Sequence, residues 1–214
     1  MGALDKRIIM VEGCDRTGKS TFIDYLSDEL KILGYRPFVL HLMGPTKFSG
    51  LSFSDDERSL IQLAKFNDEY DIVRGMLKCD SKARFIFDRT SFGEYVWSKY
   101  WSREGKWTGY VTSPEFIGRH RDLMDETLYI EFHMSDVGML ERRITSSQED
   151  LGIFTIGGRT VRESISYVYG LYAELAEIVK GNGIDYLKID SSQFRRLEDD
   201  GEYVSRMLRR LMRL

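Results

Sequence analysis

Little in this chain of 214 residues lends itself to cross-linking, to a membrane or to an unfolded linker. There are two cysteines, Cys14 and Cys79, far apart and without histidines at metal-ligand spacing, so neither a disulfide framework nor a zinc site is indicated. They are expected as two reduced thiols. With three prolines and no low-complexity tract, nothing divides the sequence, and one domain over residues 1–214 is expected. No run approaches 18 uninterrupted apolar residues, which excludes a transmembrane helix from the expectations. Residues 1–13 (MGALDKRIIMVEG) lack the long apolar stretch and small-residue cleavage site of a signal peptide, so a cytoplasmic location is expected. Charge is nearly balanced, with 31 Lys and Arg against 34 Asp and Glu, which argues against a general affinity for nucleic acid or an anionic membrane. Histidine is scarce as well. His41 reads as part of a strand and His133 as a strand end, both as packing, and no Ser/His/Asp set is visible.

What is present is an alternation of short apolar strands and longer amphipathic helices, the pattern of a parallel sheet with helices on both faces. Strands are expected at Arg7–Val11, Phe38–Leu42, Arg84–Asp88, Thr127–His133 and Tyr186–Ile189. Between Lys19 and Leu33, residues Phe22, Tyr25, Leu26, Leu30 and Leu33 fall at helical spacing, and Gly34 supplies a stop. A second helix is expected over about residues 55–77. A last one begins at the acids Glu198, Asp199, Asp200 and Glu202 and ends at Arg206, Arg209, Arg210 and Arg213, which complements the helix dipole. Its apolar stripe of Val204, Met207, Leu208 and Leu211 favours a docked surface helix over a nucleic-acid arm.

The first strand runs into Gly13-Cys14-Asp15-Arg16-Thr17-Gly18-Lys19-Ser20, which matches G-x-x-x-x-G-K-[ST] in the strand-to-helix context that the motif requires. Glycines let such a loop curl so that its N–H groups cradle phosphate oxygens, with the positive end of the following helix adding to the field. Gly13, Cys14, Thr17, Gly18, Lys19, Ser20 and Thr21 are therefore the expected ATP-binding residues, with Lys19 reaching the β- and γ-phosphates and Ser20 ligating Mg²⁺. Asp88, at the carboxyl end of a buried strand, is placed to hold Mg²⁺ or its water ligands. Beside it Arg89 offers a bidentate fork for a phosphate. Arg16 is a cation inside the phosphate loop itself, where mere binding does not require one.

The loop residues EGCDRTGKST resemble those of thymidylate kinases, in which E-G-x-D-R-x-G-K-[ST]-T is a typical eukaryotic and viral form. Three further segments fit the family in chain order: Pro45-Thr46-Lys47 after the second strand, Phe87-Asp88-Arg89 at the end of the third, and Ile189-Asp190-Ser191-Ser192 at the end of the fifth. The resemblance thus spans nearly the whole chain. It implies a three-layer α/β P-loop NTPase fold, with a five-stranded parallel sheet in the order 2-3-1-4-5. It also implies that Lys47 and Arg89 hold the acceptor phosphate, that Asp15 contacts the acceptor's 3′-hydroxyl, that Arg16 touches the transferring phosphoryl group, and that Ser191 lies near adenine. Trp97, nine positions after Asp88, matches the aromatic residue that excludes a ribose 2′-hydroxyl. The other rings of that stretch, Tyr95, Tyr100, Trp101, Trp107 and Tyr110, are expected as packing. The segment 142–159 falls where the fold carries its lid; Gly152, Gly157 and Gly158 give it freedom, and Arg142, Arg143 and Arg159 bring charge, with Arg142 expected at ATP.

The base pocket is where the sequence departs from the family. Aligning Asn67 with the family's asparagine puts Ala64 and Asp68 where a phenylalanine and an arginine are usual, with Phe66 or Arg74 as alternatives in another register. Asp68 would favour an amino-bearing base over thymine. The expected reaction is transfer of the ATP γ-phosphoryl group to a deoxynucleoside monophosphate, dTMP first but with relaxed base specificity, with Lys19, Arg16 and Asp88 as the catalytic set and Mg²⁺ as cofactor. A deoxynucleoside or polynucleotide 5′-hydroxyl kinase is the first alternative, although residues 42–47 offer no acid to serve as base. A non-catalytic ATP-binding module is the second. Partners are expected to be small nucleotides, with a homodimer left open and no nucleic acid or membrane.

Overall fold

The computed structural model describes residues 6–41, 53–103, 105 and 108–193. Their scaffold is one five-stranded sheet, wholly parallel, in the order β2-β3-β1-β4-β5. The strands are β1 (Ile8–Gly13), β2 (Arg36–Leu40), β3 (Ala83–Asp88), β4 (Thr127–His133) and β5 (Asp185–Asp190). The helices are α1 (Lys19–Ile32), α2 (Asp55–Cys79), α3 (Ser91–Tyr100), α4 (Pro114–Arg119), α5 (Arg121–Met124), α6 (Val137–Thr145), α7 (Gln148–Phe154) and α8 (Val161–Gly181).

Every residue of β1 is buried, as a central parallel strand requires. The two-residue side-chain period sends alternate positions to opposite faces. Ile9 and Val11 join Phe22, Ile23, Leu26 and Leu30 of α1 on one side of the sheet. Ile8 and Met10 join the larger cluster on the other side, built from α2, α3 and α8 with Phe85, Phe87 and Tyr129. This is the three-layer α/β P-loop fold, with the strand order that the resemblance implies.

Strand bounds differ from expectation at two places that matter to the site. β1 continues through Glu12 to Gly13, so a carboxylate lies inside a buried strand. β2 begins and ends two residues earlier than Phe38–Leu42, because Gly34, at φ 81°, turns the chain straight out of α1. Pro37 is tolerated in β2 because, among the described residues, this strand is the edge of the sheet beside β3. His41 is therefore not a strand residue but the first residue beyond one. The expected lid is also more ordered than a glycine loop: it comprises the end of α6, helix α7 and a single 3-10 turn over Ile156–Gly158, with Gly157 and Gly158 at φ 73° and 77°. Helix α8 then starts on a capping box in which Thr160 accepts from Glu163 N and Glu163 accepts from Thr160 N. The helix expected over 198–213, Lys47 and Trp107 lie outside the described residues. Among those described, no helix is long and apolar enough to cross a membrane.

Candidate active site

The carboxyl ends of β1 and β3 converge on one cavity of about 520 Å³, a volume suited to a small ligand. Its floor is the loop between β1 and α1. Gly13 leaves the strand at φ 144°, and Gly18 opens α1 at φ 96° as a left-handed cap. Thr17 closes the turn by donating from Oγ1 to Cys14 O at 2.8 Å. Lys19 curls back over the loop and donates from Nζ to Gly13 O at 2.8 Å and Cys14 O at 2.7 Å. Burial, and after it the charge of Arg89, hold its pKa below the ordinary lysine value. The Cys14 thiol is wholly buried and pushed up to about 12, chiefly by burial, so it is inert as a nucleophile.

The wall opposite is the turn after β3. Arg89 sits at φ 67°, donates its backbone N–H to Val11 O at 3.1 Å and pairs through Nη2 with Asp15. Burial opposes the guanidinium's charge, but Asp15, Tyr172 and Glu12 outweigh it and keep the pKa above the usual arginine value. Glu12 lies beneath both walls, fully buried, accepting from Thr90 N and from Tyr172 Oη at 3.3 Å. Burial raises its pKa against the pull of Arg89 and Lys19. One buried carboxylate thus ties β1 to the turn that carries Asp88 and Arg89 and to α8. Asp88 faces the cavity and bonds through Oδ2 to His41 Nδ1 at 3.1 Å.

The roof comes from α6 and α7. Arg16, at φ 63°, is held by Asp150 through Nε, and its carbonyl oxygen accepts from Arg143 Nη1 at 3.2 Å. A non-glycine residue in that region costs about 1–3 kcal/mol and persists only where its surroundings hold it, which the two contacts from the roof do.

Asp15, Arg16, Gly18, Lys19, Ser20, Thr21, Asp88 and Arg89 all line the cavity, while Gly13, Cys14 and Thr17 form the turn behind it. Other expected residues do not reach it. Arg142 is exposed, and its neighbour Arg143, one helical step around α6, faces the cavity in its place. Arg159 stacks over Tyr167 at 4.6 Å instead. Ser191 is buried and donates to His133 O at 3.0 Å, fastening the end of β5 to that of β4. Phe66 points into the core at 0% exposure and Asp68 faces solvent on α2; neither lines the cavity, so neither is presented to a ligand there. Arg74 is taken up by Asp71, His120 and Asp122, and Asn67 by His120. Trp97 is buried, with the Arg89 guanidinium 5.5 Å from its ring centroid and its Nε1 without a partner among the described residues.

His41, Asp150, Ser146 and Glu12 are the site residues that the sequence reading did not include. Two of them carried a signal: Glu12 as an acid against an apolar strand, and Asp150 as an acid in the basic lid segment. Ser20 and Asp88, both on the cavity, are hard oxygen donors of the kind Mg²⁺ takes. Among the described residues no group of three or more His, Cys, Asp or Glu could hold a metal.

No protein-family model matches the sequence, and no curated protein matches it. Solved structures match over the full length. The Bacillus subtilis YorR protein, solved in complex with phosphorylated GDP, is 17% identical with a TM-score of 0.60, covering 97% of this chain and 96% of that one. A thymidylate kinase from Ehrlichia chaffeensis is 16% identical with a TM-score of 0.56, covering 100% of both chains. At these identities the likeness establishes the shared fold.

Proposed function

We propose that this chain is an ATP-dependent deoxynucleoside monophosphate kinase of the thymidylate kinase type. The observation that carries the reading is the convergence of Arg16, Lys19, Arg89 and Arg143, from three separate segments, on one cavity that also presents Ser20 and Asp88. So many cations around one space suit two phosphate-bearing ligands meeting there, better than a single bound nucleotide. The folds it matches support nucleotides as the ligands: one neighbour is a thymidylate kinase and the other was solved with phosphorylated GDP.

In this reading the floor loop and Lys19 take the β- and γ-phosphates of ATP, and Arg16 meets the group in transfer. Arg89, with Lys47, holds the phosphate of the acceptor. An oxygen of that phosphate attacks the γ-phosphorus in line as the bond to the ADP oxygen breaks. No general base is needed, because a phosphate acceptor is already ionised at neutral pH. Ser20 and Asp88 would hold magnesium, which would supply charge neutralisation when bound. The residues themselves supply position and a preorganised field. A hydroxyl acceptor is disfavoured because Asp15 and Asp150 are ion-paired with Arg89 and Arg16, and this reading gives Asp88 to the metal.

One plate tests the reading: ADP release with each deoxy- and ribonucleoside monophosphate, and with deoxynucleosides and a 5′-hydroxyl oligonucleotide. Turnover with a deoxynucleoside monophosphate is expected, and the same rates rank the bases. Turnover only with hydroxyl acceptors would replace this function by the first alternative, and ADP release that is absent or slow whatever the acceptor would point to the ATP-binding module.

Two residue-level outcomes follow. Arg89→Ala, and Lys47→Ala with it, should raise KM for the monophosphate far more than KM for ATP, by on the order of tenfold or more, since a charge-assisted phosphate contact contributes about 1.5–3 kcal/mol. Equal effects on both substrates would count against that assignment. Trp97→Phe should let ribonucleotides compete better, read as the deoxy/ribo ratio of kcat/KM. The ratio is internal to one protein, so it is insensitive to a general loss from disturbing this buried ring. An unchanged ratio leaves Trp97 with a packing role only.

A further inference from the structure

Arg16 stands on a turn whose backbone is held by Arg143 and whose side chain is held by Asp150. Its side chain is half exposed at 50%, and among the described residues its ion pair is with Asp150. Asp150 differs from its partner in that its side chain is only 12% exposed and its place is fixed by the helix it sits on. Helix α7 is capped by Ser147, which accepts from Asp150 N, and is docked on α3. Tyr100 donates to Ile153 O at 3.0 Å, and Phe154 is wholly buried against Trp97 and Tyr100. A continuous line of contacts therefore runs from α3 through α7 and Asp150 to Arg16. The attachment is through Nε. A guanidinium has five N–H donors, so a grip at Nε leaves the four on Nη1 and Nη2 for another anion.

We infer that Asp150 is the positioning residue of Arg16: by holding Nε it fixes the guanidinium and presents both terminal nitrogens to the transferring phosphoryl group, which makes delivery of that charge depend on α7 being seated. This rests on the proposed function, specifically on Arg16 acting at the γ-phosphate. A free arginine must be ordered during the step, and misplacement of a catalytic group by about 1 Å can cost on the order of 10²-fold. The opposing role for the same contact is an anionic placeholder, in which Asp150 neutralises Arg16 until phosphate displaces it. The two roles differ in sign, because removing a placeholder frees the cation whereas removing a positioner disables it.

The experiment is a cycle of wild type, Asp150→Ala, Arg16→Ala and the double variant, with Asp150→Asn and Asp150→Glu beside it, read as kcat, KM for ATP and melting temperature. Asp150→Ala is expected to lower kcat by roughly 10- to 100-fold with KM for ATP changed by no more than about threefold. Asp150→Glu should recover part of the rate, since it restores the carboxylate. In the Arg16→Ala background the loss of Asp150 should cost less than about twofold, because the group it positions is gone. Unchanged or raised kcat with tighter ATP binding in Asp150→Ala would overturn the inference in favour of the placeholder. A full further loss in the double variant would overturn it by showing that Asp150 acts through another group. Should the alanine variant melt below the assay temperature, Asp150→Asn keeps the volume and carries the same comparisons. If wild type transfers phosphate to no acceptor, the proposed function fails separately. The ATP-induced rise in melting temperature over the same four proteins then still reads the coupling, expected as non-additive and refuted by strict additivity.

Discussion

Arg16→Ala is expected to lose on the order of 10³ in kcat, and Lys19→Ala about 10²-fold or more, while both proteins stay folded. The separation of activity from stability follows from where the two cations sit. Arg16 is on a turn, and its ion pair contributes little to the folded state because its side chain is half exposed. Lys19 is nearly buried, at 6% exposure, and burial and Arg89 lower its pKa. A lysine whose folded pKa lies below its unfolded one costs stability while the unfolded chain holds the proton; that cost fades as pH rises from the folded value and is gone above the unfolded one. Alanine removes the cost but leaves Gly13 O and Cys14 O without their donor, a penalty of about 1–3 kcal/mol of opposite sign. The two effects have opposite signs, so neither adds to the other. Steady-state kinetics beside thermal melts check the prediction. Near-normal turnover in Arg16→Ala would remove the cation at the γ-phosphate from the account, and a fall in melting temperature above about 10 °C in Lys19→Ala would show that the loop, not the chemistry, had failed.

The sheet was legible because its strands are short apolar runs separated by helical periodicity, a signal written in consecutive residues. Thr127–His133 coincides with β4, and the phosphate loop stands between β1 and α1 as its motif requires. Helix α8 is missing from the sequence expectations although its signals are equally local: the Thr160…Glu163 capping box and Val161, Ile165, Val168, Leu171, Leu175 and Val179 on its buried face. What sequence spacing could not supply is the partnership of residues far apart in the chain. Arg16 and Asp150 are 134 positions apart, Glu12 and Tyr172 are 160, and His41 and Asp88 are 47. The exchange of Arg142 for Arg143 is a difference of one residue, which in a helix is a rotation of about 100°. Phe66 and Asp68 show the same limit from the other side. Their residue types suit a nucleobase, but the packing of α2 turns one into the core and the other to solvent.

Gly13→Ala is expected to be the most destabilising single methyl in the phosphate loop. At φ 144° the residue lies where side chains are strained whatever the space around them, a cost of about 1–3 kcal/mol. The added Cβ would lie 2.2 Å from Phe132 O, and that atom is backbone of the adjacent central strand, so it cannot rotate away as a side chain would. Gly13 and Phe132 are register partners, and relief requires β1 and β4 to part at the end where the loop begins. Overpacking of that kind costs a further 1–3 kcal/mol or so. The sum, roughly 4 kcal/mol, corresponds to a melting temperature lower by about 10 °C in a chain of this size. Gly157→Ala is the control: its φ is 73°, but nothing lies within 4 Å of the new Cβ, so only the backbone term of about 1 kcal/mol applies. Thermal melts of the two variants measure the difference directly. If Gly13→Ala melts no lower than Gly157→Ala, the close approach of β1 to β4 is not what demands glycine at the head of the loop.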